Sequence, residues 1–159
     1  MNTHDTLAKG LLATFAGSNA VKNVTRGTVS LMGTETTVND ATYIDQWLVK
    51  RTGAGQEIAV NGGDASVRSY AGGIVPDTTL LPLGITAEQI IATLKSMLQK
   101  LGETTRLTKS VAPVTDGDWT YAYRVTDTYP EVSLAIGVET IVYKGTVVFV
   151  HAFLLADVT

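Results

Sequence analysis

The sequence predicts an α+β fold: a mainly antiparallel sheet packed against a central amphipathic helix, with a short helix at the N-terminus. Three observations carry this. Val- and Thr-rich runs separated by turn residues recur along the chain, one segment has a full set of helix start and stop signals, and the two last apolar runs are joined by Lys144-Gly145. The 159 residues are read as one domain, 1–159.

The helix Ala87–Leu101 is the clearest element. Thr86 stands as its N-cap with Gln89 as the reciprocal partner, and Ile85 with Ile90 forms a hydrophobic staple. Ile90, Ile91, Leu94, Met97, Leu98 and Leu101 fall on one face, and Gly102 is the stop. Near the N-terminus, Leu7, Leu11, Leu12 and Phe15 recur at helical spacing over residues 5–16, with Gly17 as the stop.

Between the helices, residues 21–32 read as a strand, Gly33-Thr34 as a turn and 36–38 as a return strand. The segment 42–51 fits either a strand or a helix with Tyr43, Ile44, Trp47 and Leu48 on one face. The strand is preferred, because Gly53-Ala54-Gly55 and residues 57–60 then read as turn and return. Residues 61–64 read as a turn and 66–70 as a short strand. Residues 71–84, with Gly72-Gly73, Pro76 and Pro82, form a connector across the domain. Four strands are expected after the helix, at 106–112, 119–126, 132–142 and 146–155, with a turn at 127–130.

A two-residue turn at Lys144-Gly145 would pair Tyr143 with Thr146 and Val142 with Val147, and so on outward. One face then carries Val138, Val142, Val147, Phe149, His151 and Phe153, and the other carries Glu139, Ile141, Val148, Val150 and Leu154. Both faces are apolar, so both are expected to be covered. The Ala87–Leu101 helix covers one; N-terminal elements or a second copy of the chain cover the other. A homo-oligomer is expected on this ground.

Composition narrows the function. Net charge is −3, from 12 basic and 15 acidic residues without a basic stripe, which excludes phosphate-neutralising nucleic-acid binding. Charged residues are only 17% of the chain, while 45% is hydrophobic. So low a charge points to buried strand faces or to a protein partner. The chain has no cysteine, so disulfides, thiolate metal sites and cysteine nucleophiles are excluded. No metal site and no cofactor is expected. No apolar run is long enough to span a bilayer, and the N-terminus lacks signal-peptide character. A soluble, cytoplasmic protein is expected, with a periplasmic or secreted one as the alternative.

Three candidate sites stand out. His151 can serve as base or ligand, but among Phe149, Phe153 and Val138 the plainer reading is a core histidine; His4 lies near the chain end and is given no role. Glu139 interrupts an apolar strand, where burial could suit it to acid–base work. The regular register puts it on the face opposite His151, which argues against a dyad; the plainer reading is an acid at the rim or one paired with Arg124 or Lys109 from a neighbouring strand. Trp119, Tyr121 and Tyr123 alternate onto one face, as a ligand-stacking row or, more plainly, as core. The glycine clusters match no phosphate loop. The function expected is a non-catalytic binding or assembly module, self-associating, such as a small bacterial or phage accessory or structural protein. The alternative is a small-ligand site between sheet and helix, of metal-independent isomerase or lyase type, using Tyr121, Tyr123, Glu139 and His151.

Overall fold

The computed structural model describes residues 2–17, 21–49 and 52–158. The described residues form three α-helices, α1 (Thr3–Ala13), α2 (Asp77–Leu80) and α3 (Ala87–Leu101), and nine strands. The first meander is β1 (Lys22–Arg26), β2 (Val29–Val38), β3 (Ala41–Val49), β4 (Thr52–Asn61) and β5 (Asp64–Ile74). The second is β6 (Val111–Asp116), β7 (Trp119–Tyr129), β8 (Leu134–Tyr143) and β9 (Thr146–Val158). Together they make one antiparallel sheet in the order β1-β2-β3-β4-β5-β9-β8-β7-β6. The chain thus reaches the middle of the sheet at β5, crosses through α2 and α3 to the far edge, and meanders back until β9 closes against β5.

α3 has the bounds that its capping signals predict. Thr86 accepts from the Gln89 amide and the Gln89 side chain accepts from the Thr86 amide, satisfying two donors that a helix start leaves free. Ile90, Leu94, Met97 and Leu98 are buried against the sheet. The helix is not the single central cover that the sequence implies, because α1 lies on the same face. Gly10 of α1 sits against the ring of Tyr43 on β3, and Gln99 of α3 donates to the Ala16 carbonyl just beyond α1. Asn2 caps α1, whose start is tied to the sheet by Thr3 with Ser66 and by His4 with Asp157.

Among the described residues α1, one of the N-terminal elements expected on the opposite face, lies on the same side as α3, and no helix covers that opposite face. Leu48, Val60 and Leu154 point outward there, and each is more than a third exposed. No helix among the described residues is long and apolar enough to cross a membrane.

Several turns sit elsewhere than the sequence implies. Residues 21–32 are two strands, folded at Gly27-Thr28 so that Arg26 faces Val29. Gly33 lies inside β2, and the hairpin turn falls instead at Asn39-Asp40, both with positive φ, where short polar side chains tolerate the left-handed backbone. The segment 42–51 is a strand as preferred, although its last two residues lie outside the described ones. Gly53-Ala54-Gly55 is strand, not turn, and β5 runs on through Gly72-Gly73. The strand expected at 106–112 begins only at Val111: Arg106, at φ +62°, and the bends after it lie outside the sheet. Residues 127–129 continue β7 past a bulge, a 3₁₀ turn Pro130–Val132 follows, and β8 starts at Leu134.

The Gly10 contact gives a test whose sign is informative. A Cβ there would stand 2.1 Å from Tyr43 Cγ. Helix propensity alone would make Gly10→Ala stabilising by about 1 kcal/mol. Overpacking against a buried ring instead predicts a loss of about 1–3 kcal/mol, read by chemical denaturation.

Candidate functional site

The inner face of the sheet carries buried charge in its centre. Cross-strand pairing sets Thr34, Asp45, Glu57, Arg68 and Leu155 side by side on β2, β3, β4, β5 and β9. Alternation turns all of these side chains toward the helices. Asp45, Glu57, Arg68, Arg106 and Glu139 are the buried charged residues among those described. Burial of this kind requires partners. Arg106 supplies most of them: Nε and Nη2 donate to Glu139 Oε1 and Oε2, each at 2.7 Å, and Nη1 donates to Glu57 Oε1 at 3.2 Å. Arg68 Nη1 donates to the same Glu57 oxygen at 3.3 Å, with its guanidinium between the rings of Tyr70 and Phe153. Tyr121 donates to Glu139 Oε1 at 2.6 Å.

The partner of Glu139 is therefore Arg106, with Arg68 at 3.9 Å, and not Arg124 or Lys109. Arg124 pairs with Val138 and so projects from the outer face. Glu139 and His151 are also brought together, against the regular register. Tyr143 faces Thr146 and Val142 faces Val147 as the turn requires, but Ile141 then faces Phe149. Val148 is an extra residue, a β-bulge, and from there outward every pairing slips by one. Glu139 consequently lies directly across from His151, with Nδ1 3.6 Å from Oε2, too long for a hydrogen bond. Burial would raise the Glu139 carboxyl, but Arg106 beside it, helped by His151 and Arg68, holds it well below the usual carboxylate range. Burial pushes His151 down, more than Glu139 draws it up, which keeps the imidazole neutral at neutral pH.

Beside this cluster a cleft of about 550 Å³ opens between α3 and the sheet. Ala87, Ile91 and Ala92 of α3 form one wall, while Trp47, Ile74 and Phe149 form the sheet side. Glycine makes the hollow. Gly53 on β4 and Gly72 on β5 are the inward positions next to His151 in one cross-strand row, so no side chain fills the space before its ring. A Cβ at Gly72 would stand 2.1 Å from the Val150 carbonyl oxygen. In the adjoining row, Gly55 lets Tyr70 lie flat: a Cβ there would be 2.5 Å from the Tyr70 hydroxyl. Tyr70 thereby reaches across two strands and donates to Asp45 Oδ1 at 2.9 Å. Its ring lies 5.1 Å from that of His151. Asp45, Tyr70, His151 and the edge of Arg106 are the polar groups on the cleft floor.

Asp45 is strongly altered by this setting. Burial and the neighbouring Glu57 charge raise its carboxyl from 3.8 to about 7, although Tyr70, Arg106 and Arg68 oppose them. Burial also pushes the phenols of Tyr70 and Tyr43 up, leaving Tyr70 a donor to Asp45. Proton transfer at neutral pH is chemically open to Asp45 and to the neutral His151.

Tyr121 and Tyr123 do not line this cleft. Tyr121 serves Glu139, while Tyr123 stacks on Phe153 at 4.4 Å and donates to the Leu107 carbonyl. Trp119 packs on Tyr143 at the far end of the same row. His4 hydrogen-bonds to Asp157 at 2.8 Å, fastening α1 to β9. Asp45, Glu57, Arg68, Tyr70 and Arg106 carry no signal in the linear sequence, because only the strand order makes them neighbours. Among the described residues no group of three or more histidine or acidic side chains is placed to hold a metal ion.

Two opposite pH effects follow. A raised folded-state pKa at Asp45 means that the unfolded chain gives up its proton first. Stability is therefore lost as pH rises from about 4 through 7, by roughly 4 kcal/mol in all. Asp45→Asn removes that slope, so its advantage over the parent grows by roughly 2–3 kcal/mol between pH 5 and pH 8, read from urea midpoints. Glu139 acts in the other sense: its contribution is present above 4.5 and is lost as pH falls through its lowered folded value. Glu139→Gln leaves two buried guanidinium groups short of a counter-charge and is expected to cost about 3–5 kcal/mol at pH 7.

Compared with known proteins, the chain matches no family model, no curated protein and no solved structure.

Proposed function

We propose that this protein binds a small, mainly apolar molecule in the cleft between α3 and the sheet. The observation that carries this reading is an apolar hollow of about 550 Å³ whose floor holds Asp45, Tyr70 and His151. Ligand sites are typically concave, roughly 300–1,000 Å³, apolar-walled and fitted with a few convergent polar groups. The lining glycines Gly53, Gly72 and Gly73 support the same reading, since none brings a side chain into the hollow. Chemistry on the bound molecule, of metal-independent isomerase or lyase type, would use Asp45 and His151 as the proton-transfer pair. Tyr121, Tyr123 and Glu139 would act from behind as the packing and charge that hold the floor in place.

A second reading, self-association, is favoured by the outer face. Leu48, Ala54, Ala71, Ala152 and Val138 form one outward row across β3, β4, β5, β9 and β8, and its first charge is Arg124 on β7. Two such faces packed together would remove from water the apolar surface that no helix covers.

The two readings separate experimentally. Nile red, a neutral apolar dye, should brighten on entering the cleft, and Ala92→Trp on the exposed wall of α3 should reduce its binding at least tenfold without lowering stability. Undiminished binding in that variant would place the dye elsewhere and remove the cleft reading. Self-association predicts a dimer or larger species in light scattering, converted to monomer by Leu154→Lys. A parent chain that stays monomeric at high concentration rules it out.

A further inference from the structure

The cleft floor has an unbalanced charge, and the imbalance selects a ligand class. Three carboxylates, Asp45, Glu57 and Glu139, share the interior with two guanidinium groups, Arg68 and Arg106. The guanidinium groups lie chiefly against the glutamates: Arg106 gives all three nitrogens to Glu139 and Glu57, and Arg68 donates through Nη1 to Glu57, while its Nε and Nη2 make no hydrogen bond. Asp45 receives a neutral donor, the Tyr70 hydroxyl, and lines the cleft. Trp47, Tyr70, Phe149 and Phe15 surround the space before it with aromatic surface. Aromatic faces attract organic cations when these are withdrawn from water. Phe15 already carries such contacts, with Lys95 Nζ 5.1 Å and the Arg106 guanidinium 5.9 Å from its ring centre.

Resting on the cleft reading above, we infer that the occupant is a small organic cation, a protonated amine on an aromatic or branched apolar body, with its ammonium on Asp45 and its body against Trp47 and Phe149. The ammonium is the counter-charge that the interior lacks, and it brings donors that the Asp45 carboxylate can accept. Glu88 and Lys95 of α3, one of each sign, also line the cleft and add no net charge to it.

Binding of this kind is linked to pH through Asp45. The groups facing that carboxyl are Thr34 on β2, Tyr43 on its own strand, Glu57 on β4, and Arg68 and Tyr70 on β5. Arg106 beyond α3 and His151 on β9 complete its surroundings, with Glu88 and Lys95 across the cleft. Asp45, at about 7, changes charge between pH 6 and 8. An amine that requires the carboxylate should therefore bind about tenfold more tightly at pH 8 than at pH 6.

The experiment is calorimetric titration of the whole chain with three probes of one shape: 2-phenylethylamine, neutral 2-phenylethanol and anionic 3-phenylpropanoate. The amine is expected to bind at least tenfold more tightly than either of the others at pH 8. The tenfold gain from pH 6 to 8 should appear for the amine alone. Asp45→Asn should erase both the preference and the pH dependence. Equal or tighter binding of the alcohol or the propanoate overturns the inference, as does amine binding that ignores pH. If Nile red enters the cleft but the amine is not preferred, the ligand class alone fails. If Nile red does not enter, or Ala92→Trp does not block it, the cleft reading itself fails.

Discussion

The rest of the structure depends on one buried pairing, the two-pronged contact of Arg106 with Glu139. Arg106 follows closely on α3, and its backbone stands at φ +62°, a conformation that costs an L-residue roughly 1–2 kcal/mol. That strain is accepted because it sends the side chain down into the sheet rather than out to solvent. There the guanidinium meets Glu139 on β8 and Glu57 on β4, one from each meander. A single side chain thus ties the crossover segment to both halves of the sheet. α3 is anchored at its C-terminal end by this contact and at its start by Ile85 and Ile90 in the core. The cleft lies beside the anchored helix, with Arg106 forming part of its floor.

Structure that is fixed within a few residues is legible in the sequence. The cap and stop signals of α3 act on their immediate neighbours, and its bounds agree at both ends. The Lys144-Gly145 turn and the extended backbone of β3 are equally local. The register of the last hairpin is not. The extra residue at Val148 is settled by a distant partner, since its carbonyl accepts the Val75 amide beyond the end of β5. A slip of one residue turns every later side chain to the other face. Nothing in the run from Thr146 to Leu155 announces that slip, yet it decides whether Glu139 and His151 meet.

Glycine shows the same limit from another side. Gly53, Gly55 and Gly72 stand in the sequence like turn residues, and they are strand positions facing inward. Glycine within a strand weakens it unless another group needs the room. Here the room goes to the Tyr70 ring at Gly55 and to the close approach of the Val150 carbonyl at Gly72, while Gly53 and Gly72 both line the cleft. The charged residues were hidden in a different way. Asp45, Glu57 and Arg68 sit in polar stretches of alternating strands and resemble ordinary solvent-facing residues. They become a buried row only because β3, β4 and β5 are neighbours in register and the helices lie on that side. Of the candidate site, then, the sequence offered His151 and the charge of Glu139. The floor came from topology.

The composition of that floor is hard to explain by stability alone. Two guanidinium groups and two glutamates already balance in charge, although Arg68 Nε and Nη2 make no hydrogen bond. Asp45 adds an uncompensated carboxyl whose ionisation opposes folding at neutral pH. An asparagine would keep the Tyr70 hydrogen bond without that penalty. Proteins tolerate such local conflict chiefly where the group is used, because optimising stability there would remove the function. Asp45 is also the acid of the cluster that borders open space, while Glu57 and Glu139 do not line the cleft. The unbalanced charge and the unfilled volume therefore occupy the same place, and one occupant, bringing positive charge on an apolar body, would resolve both.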